Sequence, residues 1–157
     1  MQEIRSVAPA DIDTLARLWH DGWREAHLAH VPAELTAKRT LASFRARLVA
    51  FGDDLRTAGA VGKPLGFCAI REDELDQIFV SRAARGTGLA AALLSDGEAR
   101  LKDNGIIRAH LLCVIENVRA ARFYERRGWE NMGVFREPVQ TEEGPFVFDL
   151  LRFEKTL

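Results

Sequence analysis

A glycine-containing segment in the middle of the chain constrains the fold more than any other feature. A strand-like segment ends at Val80, the segment Arg85-Gly86-Thr87-Gly88-Leu89-Ala90 follows, and strong helix formers continue to Lys102. A helix N-terminus presents unpaired backbone N–H groups and the positive end of the helix dipole. Because glycine has no Cβ, the backbone there can approach a bound group closely. This order of elements therefore favours an α/β fold with an anion-binding site at the helix start.

Two other phosphate-binding patterns fit this segment less well. A Walker loop ends in Gly-Lys-Ser/Thr, which the segment lacks. A dinucleotide fingerprint needs three spaced glycines after the first strand of a βαβ unit, whereas the third position here is Ala90 and a predicted hairpin precedes it. The two glycines by themselves are also consistent with a tight turn that starts a helix and binds nothing.

The hydrophobic pattern around the segment predicts a mixed sheet with helices packed on it. The predicted strands cover residues 2–7, 55–61, 65–71, 75–80, 106–115, 130–136 and 146–155. The predicted helices cover a stretch that starts near Asp11 and is interrupted by Pro32, then 34–51, 88–102 and 117–127. Since residues 106–115 form a continuous apolar run, we expect that strand to be buried on both faces.

Composition and charge narrow the class of protein and its partners. The 157 residues are 47% hydrophobic and 29% charged, which is typical of one globular domain over residues 1–157. The formal net charge of −1 predicts no nucleic-acid partner and no membrane partner. No apolar stretch approaches the roughly 20 residues of a membrane-spanning helix, and no apolar segment follows Arg5 as in a signal peptide. We therefore expect a cytoplasmic protein.

A second motif lies downstream, at Asn117-Val118-Arg119-Ala120-Ala121-Arg122-Phe123-Tyr124-Glu125-Arg126-Arg127-Gly128-Trp129. This stretch closely matches N-x-x-A-x-x-F-Y-E-x-x-G-F/W, and Arg85-x-x-Gly88-x-Ala90 matches Q/R-x-x-G-x-G/A. Both are hallmarks of the GCN5-related N-acetyltransferase (GNAT) superfamily, and they lie here in that family's order. The chain therefore resembles this superfamily over its full length, most specifically across residues 74–129.

The resemblance implies a fold and a reaction. The expected fold is the GNAT fold, a mixed, mostly antiparallel sheet of six to seven strands flanked by about four helices. The expected reaction is direct attack of a primary amine, from a small molecule or a peptide, on the thioester of acetyl-CoA, without a metal. A non-catalytic acyl-CoA-binding sensor domain and a different nucleotide-binding enzyme are the alternatives. A homodimer through the last two strands is consistent with the family.

The resemblance also implies which residues hold the cofactor. Backbone N–H groups over the segment Arg85, Gly86, Thr87, Gly88, Leu89 and Ala90 would face the pyrophosphate. The pantetheine arm would pair with the backbone near Phe79 and Val80, which requires a local separation of the sheet. Arg82 and Arg85 could add positive charge near the phosphates, and Asn117 could contact the cofactor as well as cap its helix.

The resemblance also implies candidate catalytic residues, which suit the chemistry that thioester aminolysis needs. Tyr124, the only tyrosine of the chain, is the candidate general acid, because a phenol of pKa about 10 suits a thiolate whose thiol has a pKa of about 8.5. Glu74 and Asp76 are the candidate general bases, with Glu74 preferred. The alternatives are that ordered water takes the proton and that both carboxylates are solvated turn residues.

The amine acceptor has no motif of its own. Trp23 and His27, in the first helical region, are predicted to line the acceptor pocket, which the family builds partly from this region. His20 and His30 belong to the same cluster. Structural or surface roles are the simplest interpretation of the cluster, and a metal site lacks a third ligand at suitable spacing.

Overall fold

In the computed structural model, which describes residues 2–157, seven strands form a single sheet. They are β1 Ile4–Ser6, β2 Leu55–Ala58, β3 Gly66–Arg71, β4 Glu74–Val80, β5 Arg108–Cys113, β6 Glu130–Thr141 and β7 Gly144–Thr156. The spatial order is β1-β2-β3-β4-β5-β7-β6. Strands β4 and β5 run parallel and all other neighbours are antiparallel. The predicted mixed, mostly antiparallel sheet is therefore confirmed, while Met1 lies outside the described residues.

Five helices flank the sheet. They are α1 Ile12–His27, α2 Ala33–Lys38, α3 Leu41–Phe51, α4 Leu89–Asp103 and α5 Val118–Arg126. Buried side chains of α1, α2 and α3 form one hydrophobic core with the sheet, and those of α4 and α5 form another. The molecule therefore has three layers. Within residues 2–157, no helix combines the length and the hydrophobicity that crossing a bilayer requires.

Strand β3 contributes to both cores. Phe67 and Ala69 belong to the core beneath α1 to α3, and Cys68 and Ile70 belong to the core beneath α4 and α5. This alternation follows from the two-residue period of a strand, and it explains why β3 is an uninterrupted apolar run. The ring of Trp19 in α1 packs against β3, with its centroid 5.1 Å from that of Phe67.

The single helix predicted over residues 34–51 is two helices. The first, α2, ends at Lys38. Thr40 begins the second, α3, because its side chain accepts a hydrogen bond from the Ser43 backbone N–H at 3.1 Å and caps the helix. Between the helices, Arg39 has non-helical dihedral angles, and its Nη1 donates to the Gln140 carbonyl at 2.6 Å. The break therefore directs a buried arginine toward β6.

The strand predicted over residues 106–115 is shorter than expected and is fully buried on one face only. Ala109, Leu111 and Cys113 are buried, whereas His110 and Leu112 on the opposite face are half-buried. The prediction of two buried faces was wrong here because β5 separates from β4, so that part of its surface borders a cleft instead of a packed neighbour.

The last hairpin is longer than predicted. β6 continues to Thr141 and β7 begins at Gly144, so the hairpin extends past the end of β5. Its extended part carries Pro138, Val139 and Gln140, which line the cleft between β4 and β5. The hairpin therefore closes one side of the candidate site.

Candidate active site

The separation of β4 and β5 creates the site. These two strands are paired only at Glu74 and His110 and diverge beyond that point. A cavity of about 370 Å³ opens between them and is bordered by α1, the α2–α3 region, α5 and the β6–β7 hairpin. Because a buried strand edge without a partner leaves backbone N–H and C=O groups unpaired, β4 can accept an extended ligand as an additional strand.

The glycine segment lies at one end of the cavity, which we call the loop end (Arg85, Gly86 and Ala90). Gly86 and Gly88 have φ angles of +76° and +87°, a region that favours glycine. Among residues 2–157, the backbone N–H groups of Gly86, Gly88 and Ala90 have no acceptor. Since α4 begins at Leu89, these donors and the helix dipole point to a site for an anion.

The predicted cofactor residues divide into two groups. Those that line the cavity are Phe79, Val80, Arg85, Gly86, Ala90 and Asn117. Thr87 and Leu89 instead build the loop: the Thr87 hydroxyl donates to the Ala84 carbonyl and accepts from the Leu89 N–H, while the Leu89 side chain is buried in the core. Gly88 is the residue before α4 and does not itself line the cavity.

Glu25 of α1 holds the two arginines of the loop. Its Oε1 is 2.8 Å from Arg82 Nη2 and 3.5 Å from Arg85 Nη1. The Arg82 guanidinium lowers the pKa of Glu25, so this carboxylate is ionised at neutral pH. An anionic ligand at the loop end would therefore compete with Glu25 for both guanidinium groups.

Asn117 connects α5 to α1 across the cleft. Its Oδ1 accepts from the Ala120 N–H at 3.3 Å, which is the predicted helix cap. Its Nδ2 lies 3.1 Å from His27 Nε2. Because the amide nitrogen can only donate, Nε2 accepts and the imidazole proton resides on Nδ1. Burial, with a smaller effect of His30, lowers the pKa of His27 to about 4, so the ring is neutral at physiological pH.

Tyr124 lies on α5 and lines the cavity. Its ring packs against Phe123 and Phe153, with centroid separations of 5.5 Å and 5.8 Å. Burial raises the pKa of the phenol above its ordinary value. The hydroxyl therefore keeps its proton at neutral pH.

Glu74 and Asp76 lie at the other end of β4, which we call the carboxylate end. Both side chains are largely buried, and Arg71 contacts both, at 3.5 Å to Glu74 Oε1 and 3.2 Å to Asp76 Oδ2. Burial, and then the charge of Asp76, raise the pKa of Glu74 to about 7, although Arg71 acts in the opposite direction. Glu74 therefore exchanges a proton near physiological pH, which is a property expected of a general base.

The structure separates the four aromatic and imidazole residues that the sequence grouped together. Trp23 and His27 line the cavity, with ring centroids 5.6 Å apart. His20 instead contacts Asp21 and the edge of the Phe44 ring, and His30 is exposed after α1. Over residues 2–157, no group of three His, Cys, Asp or Glu side chains is arranged to hold a metal ion.

A family model confirms the resemblance. Residues 12–129 match the model described as the acetyltransferase (GNAT) family. The chain belongs to the GNAT family. A search of curated proteins found no significant match.

Solved GNAT structures share the fold of this chain. A GCN5-related N-acetyltransferase from Rhodopseudomonas palustris is 20% identical, with a TM-score of 0.75 over 100% of this chain and 96% of the other. PaiA N-acetyltransferase from Thermoplasma acidophilum, solved with coenzyme A, is 19% identical, with a TM-score of 0.69 over 100% and 99%. YncA from Salmonella typhimurium, solved with its cofactor acetyl-CoA, is 18% identical, with a TM-score of 0.66 over 99% and 94%.

Several residues of this GNAT cavity were not predicted from the sequence. They are Arg39, Arg47 and Arg71, which line the cavity, and His110, whose Nε2 is 3.7 Å from Glu74 Oε2. The sequence does contain a signal for Arg47, because this residue lies between Phe44 and Phe51 on the helix face that packs inward. Arg39 has none, since only the break between α2 and α3 brings it to the cavity.

Proposed function

We propose that this GNAT protein is an N-acetyltransferase that transfers the acetyl group of acetyl-CoA to a primary amine of a small molecule or peptide. The divergence of β4 and β5 carries the proposal, because it provides a strand edge between an anion site at the loop end and the phenol of Tyr124. Family membership supports acetyl transfer, and the Thermoplasma and Salmonella relatives were solved with coenzyme A and acetyl-CoA.

The loop end and β4 would hold the donor. The N–H groups of Gly86, Gly88 and Ala90 are suited to the pyrophosphate, with Arg82 and Arg85 nearby. The amide groups of a pantetheine arm can pair with the free edge of β4 near Phe79 and Val80. This arrangement would fix the thioester in the cleft and orient its carbonyl for attack.

Glu74 would prepare the amine. An alkylammonium must lose a proton before its nitrogen can attack, and a carboxylate whose pKa is about 7 can accept that proton directly or through one water. Asp76 is the less suitable base, because it makes the shorter contact with Arg71. Its negative charge instead raises the pKa of Glu74. We assign Asp76 the role of setting the protonation of Glu74.

Tyr124 would protonate the leaving thiolate. Its hydroxyl is protonated at neutral pH, and Tyr124 lines the cavity in which the sulfur of coenzyme A would lie. Burial raises the pKa of a thiol as it does that of a phenol. In the same cavity, the difference between the two pKa values therefore stays small enough for the proton to transfer. Collapse of the tetrahedral intermediate breaks the C–S bond, and the proton from Tyr124 releases coenzyme A as its thiol.

A thiol-release assay tests the proposal. The protein is incubated with acetyl-CoA and a panel of primary amines, and free coenzyme A is measured with dithionitrobenzoate. We expect amine-dependent release with at least one amine and acetylated product by mass spectrometry. Tight binding of acetyl-CoA without release on any amine would favour a sensor domain. Stabilisation by ATP or NAD instead of acetyl-CoA would indicate a different nucleotide-binding enzyme.

A further inference from the structure

The carboxylate end of the cavity contains more arginine than carboxylate. Five charged side chains that line the cavity are grouped there, since the charges of four of them act on the fifth, Arg47: they are Arg39, Arg47, Arg71, Glu74 and Asp76. Arg71 already contacts both carboxylates. Because Glu74 is partly protonated near neutral pH, the two carboxyl groups together carry less than two negative charges. They therefore cannot neutralise Arg71 and also Arg39 and Arg47. This end of the cavity therefore carries net positive charge.

Arg47 has no ionic or hydrogen-bonding partner in residues 2–157. Its guanidinium carbon lies 4.3 Å from the centroid of the Trp19 ring, and this stacking holds the group in place from one side. Stacking leaves the N–H donors in the guanidinium plane unused, and the side chain lines the cavity. Burial, reinforced by the charge of Arg39, lowers the pKa of Arg47 to about 9, so the group is still charged at neutral pH.

Arg39 is only partly satisfied. It is 4% exposed, and Nη1 donates to the Gln140 carbonyl, but Nε is buried without a partner in the described part of the chain. Burial lowers the pKa of Arg39 to about 10, with Asp76 acting in the opposite direction. A second, incompletely compensated guanidinium next to Arg47 is unfavourable in a buried site unless an anion joins it.

We propose that the acceptor is a small primary amine that also carries an anionic group, either a carboxylate or a phosphoryl group, bound by Arg47 and Arg39. This inference rests on the proposed acetyl transfer and specifies its acceptor. The planar fork of a guanidinium pairs with the oxygens of either anion through two parallel hydrogen bonds. With the anion held there, the amine of the same molecule lies beside Glu74, which lines the same end of the cavity.

The same charges select against other acceptors. An acceptor with several amines would bring a second ammonium group toward Arg47 and Arg39, where like charges repel. An amine that carries no anionic group would leave both guanidinium groups without an anion. Discrimination therefore arises from attraction to the anion and from repulsion of extra positive charge.

Matched acceptors and two arginine variants test the inference. The acceptors are glycine with glycinamide, β-alanine with β-alaninamide, and aminomethylphosphonate and 2-aminoethylphosphonate as the phosphoryl arm. Arg47→Met removes the cation and keeps an apolar chain against Trp19. Arg45→Met is the control, because Arg45 lies on the same helix but pairs with Asp13 at the surface.

We expect at least one anionic acceptor to exceed its amide in kcat/KM by about 10- to 100-fold, which is the usual effect of a hydrogen bond to a charged group. Arg47→Met should remove this preference, mainly through a higher KM for the anionic acceptor, and Arg45→Met should keep it. The carboxylate and phosphonate arms then show which anion is preferred. If the wild type used the amides at least as well as every carboxylate and phosphonate acceptor, the inference would be overturned while acetyl transfer stands.

A binding measurement separates failure of the inference from failure of the proposed function. Propionate and inorganic phosphate are titrated by calorimetry into protein saturated with coenzyme A, so that the loop end is already filled. Binding that Arg47→Met weakens, in a protein that acetylates no amine, would support the anion site and contradict acetyl transfer. Absence of anion binding together with absence of turnover would contradict both.

Discussion

The two ends of the cavity present different kinds of groups to a ligand. The loop end presents backbone groups, namely the unpaired N–H groups of Gly86, Gly88 and Ala90 and the free edge of β4, and all of them lie close together in the sequence. The carboxylate end presents side chains from distant segments, including Arg39, Arg47 and Glu74. Backbone recognition requires a local conformation and therefore leaves a sequence motif, whereas side-chain recognition across segments leaves none.

This difference predicts separate kinetic effects. Changes at the loop end should alter affinity for coenzyme A with every amine. Changes at the carboxylate end should alter the use of the amine and leave coenzyme A binding intact. Tyr124, as the proposed proton donor, should affect the chemical step alone.

The largest effect is expected for Tyr124→Phe. Loss of the proton donor should lower kcat by roughly 100- to 1,000-fold, which lies within the usual contribution of general acid catalysis. The dissociation constant of coenzyme A, measured by calorimetry, should stay within about twofold, since the ring packing against Phe123 and Phe153 is retained. Turnover near the wild-type rate would remove Tyr124 as the acid.

Glu74→Gln should lower kcat/KM for the amine by about 100-fold at pH 8, because the variant lacks the proposed base. The wild type should gain activity as pH rises through about 7, where Glu74 loses its proton, and the variant should lack this limb of the profile. Binding of coenzyme A is the control and should not change. An unaltered pH profile in the variant would assign proton removal to another group or to water.

Stability should change with pH in the opposite direction from activity. The pKa of Glu74 is raised from 4.5 to about 7 in the folded protein, so the folded state binds the proton more tightly than the unfolded state. The associated stability is fully present below pH 4.5 and is lost as pH rises through about 7. Urea unfolding at pH 5 and pH 8 should show a larger loss for the wild type than for Glu74→Gln.

Gly86→Asp should weaken coenzyme A binding by about 30-fold. The carboxylate would repel the pyrophosphate and prevent its hydrogen bond with the loop backbone, and a hydrogen bond to a charged group contributes about this much. Gly105→Asp is a matched control: its φ angle is +85° against +76° at Gly86, and at both positions a Cβ would meet nothing within 4 Å. Both variants should therefore lose similar free energies of unfolding. Equal coenzyme A affinity in the two variants would contradict an anion site at the loop end.

The smallest effect is expected for Glu25→Gln. Without this carboxylate, Arg82 and Arg85 are free to contact a phosphate, so affinity for coenzyme A should increase by about two- to fivefold, in line with the small energies of exposed ion pairs. The increase should be greatest at low salt. Acceptor KM should not change, and a decrease in coenzyme A affinity would show that Glu25 instead positions the arginines.

The strand and helix order was largely predictable, and the exceptions have a common cause. Hydrophobic periodicity reports which face of an element is buried, but it does not report the contact that Arg39, at the break, makes with a carbonyl of β6, Gln140, more than a hundred residues away in the sequence. The expected burial of β5 on both faces failed for a similar reason, since the separation of β4 from β5 is a property of the whole sheet.

By itself, the sequence determined the family, the mostly antiparallel sheet and the loop and helix motifs at Arg85–Ala90 and Asn117–Trp129, because these depend on backbone conformations that local residues specify. Only the tertiary structure decided the carboxylate end. There, burial raises the pKa of Glu74, and helix packing places Arg47 near Arg39, the first without a hydrogen-bonding partner in residues 2–157 and the second with only part of its guanidinium paired. Burial and charge pairing arise between distant segments, so the acceptor chemistry that we propose follows from the folded arrangement and not from any one motif.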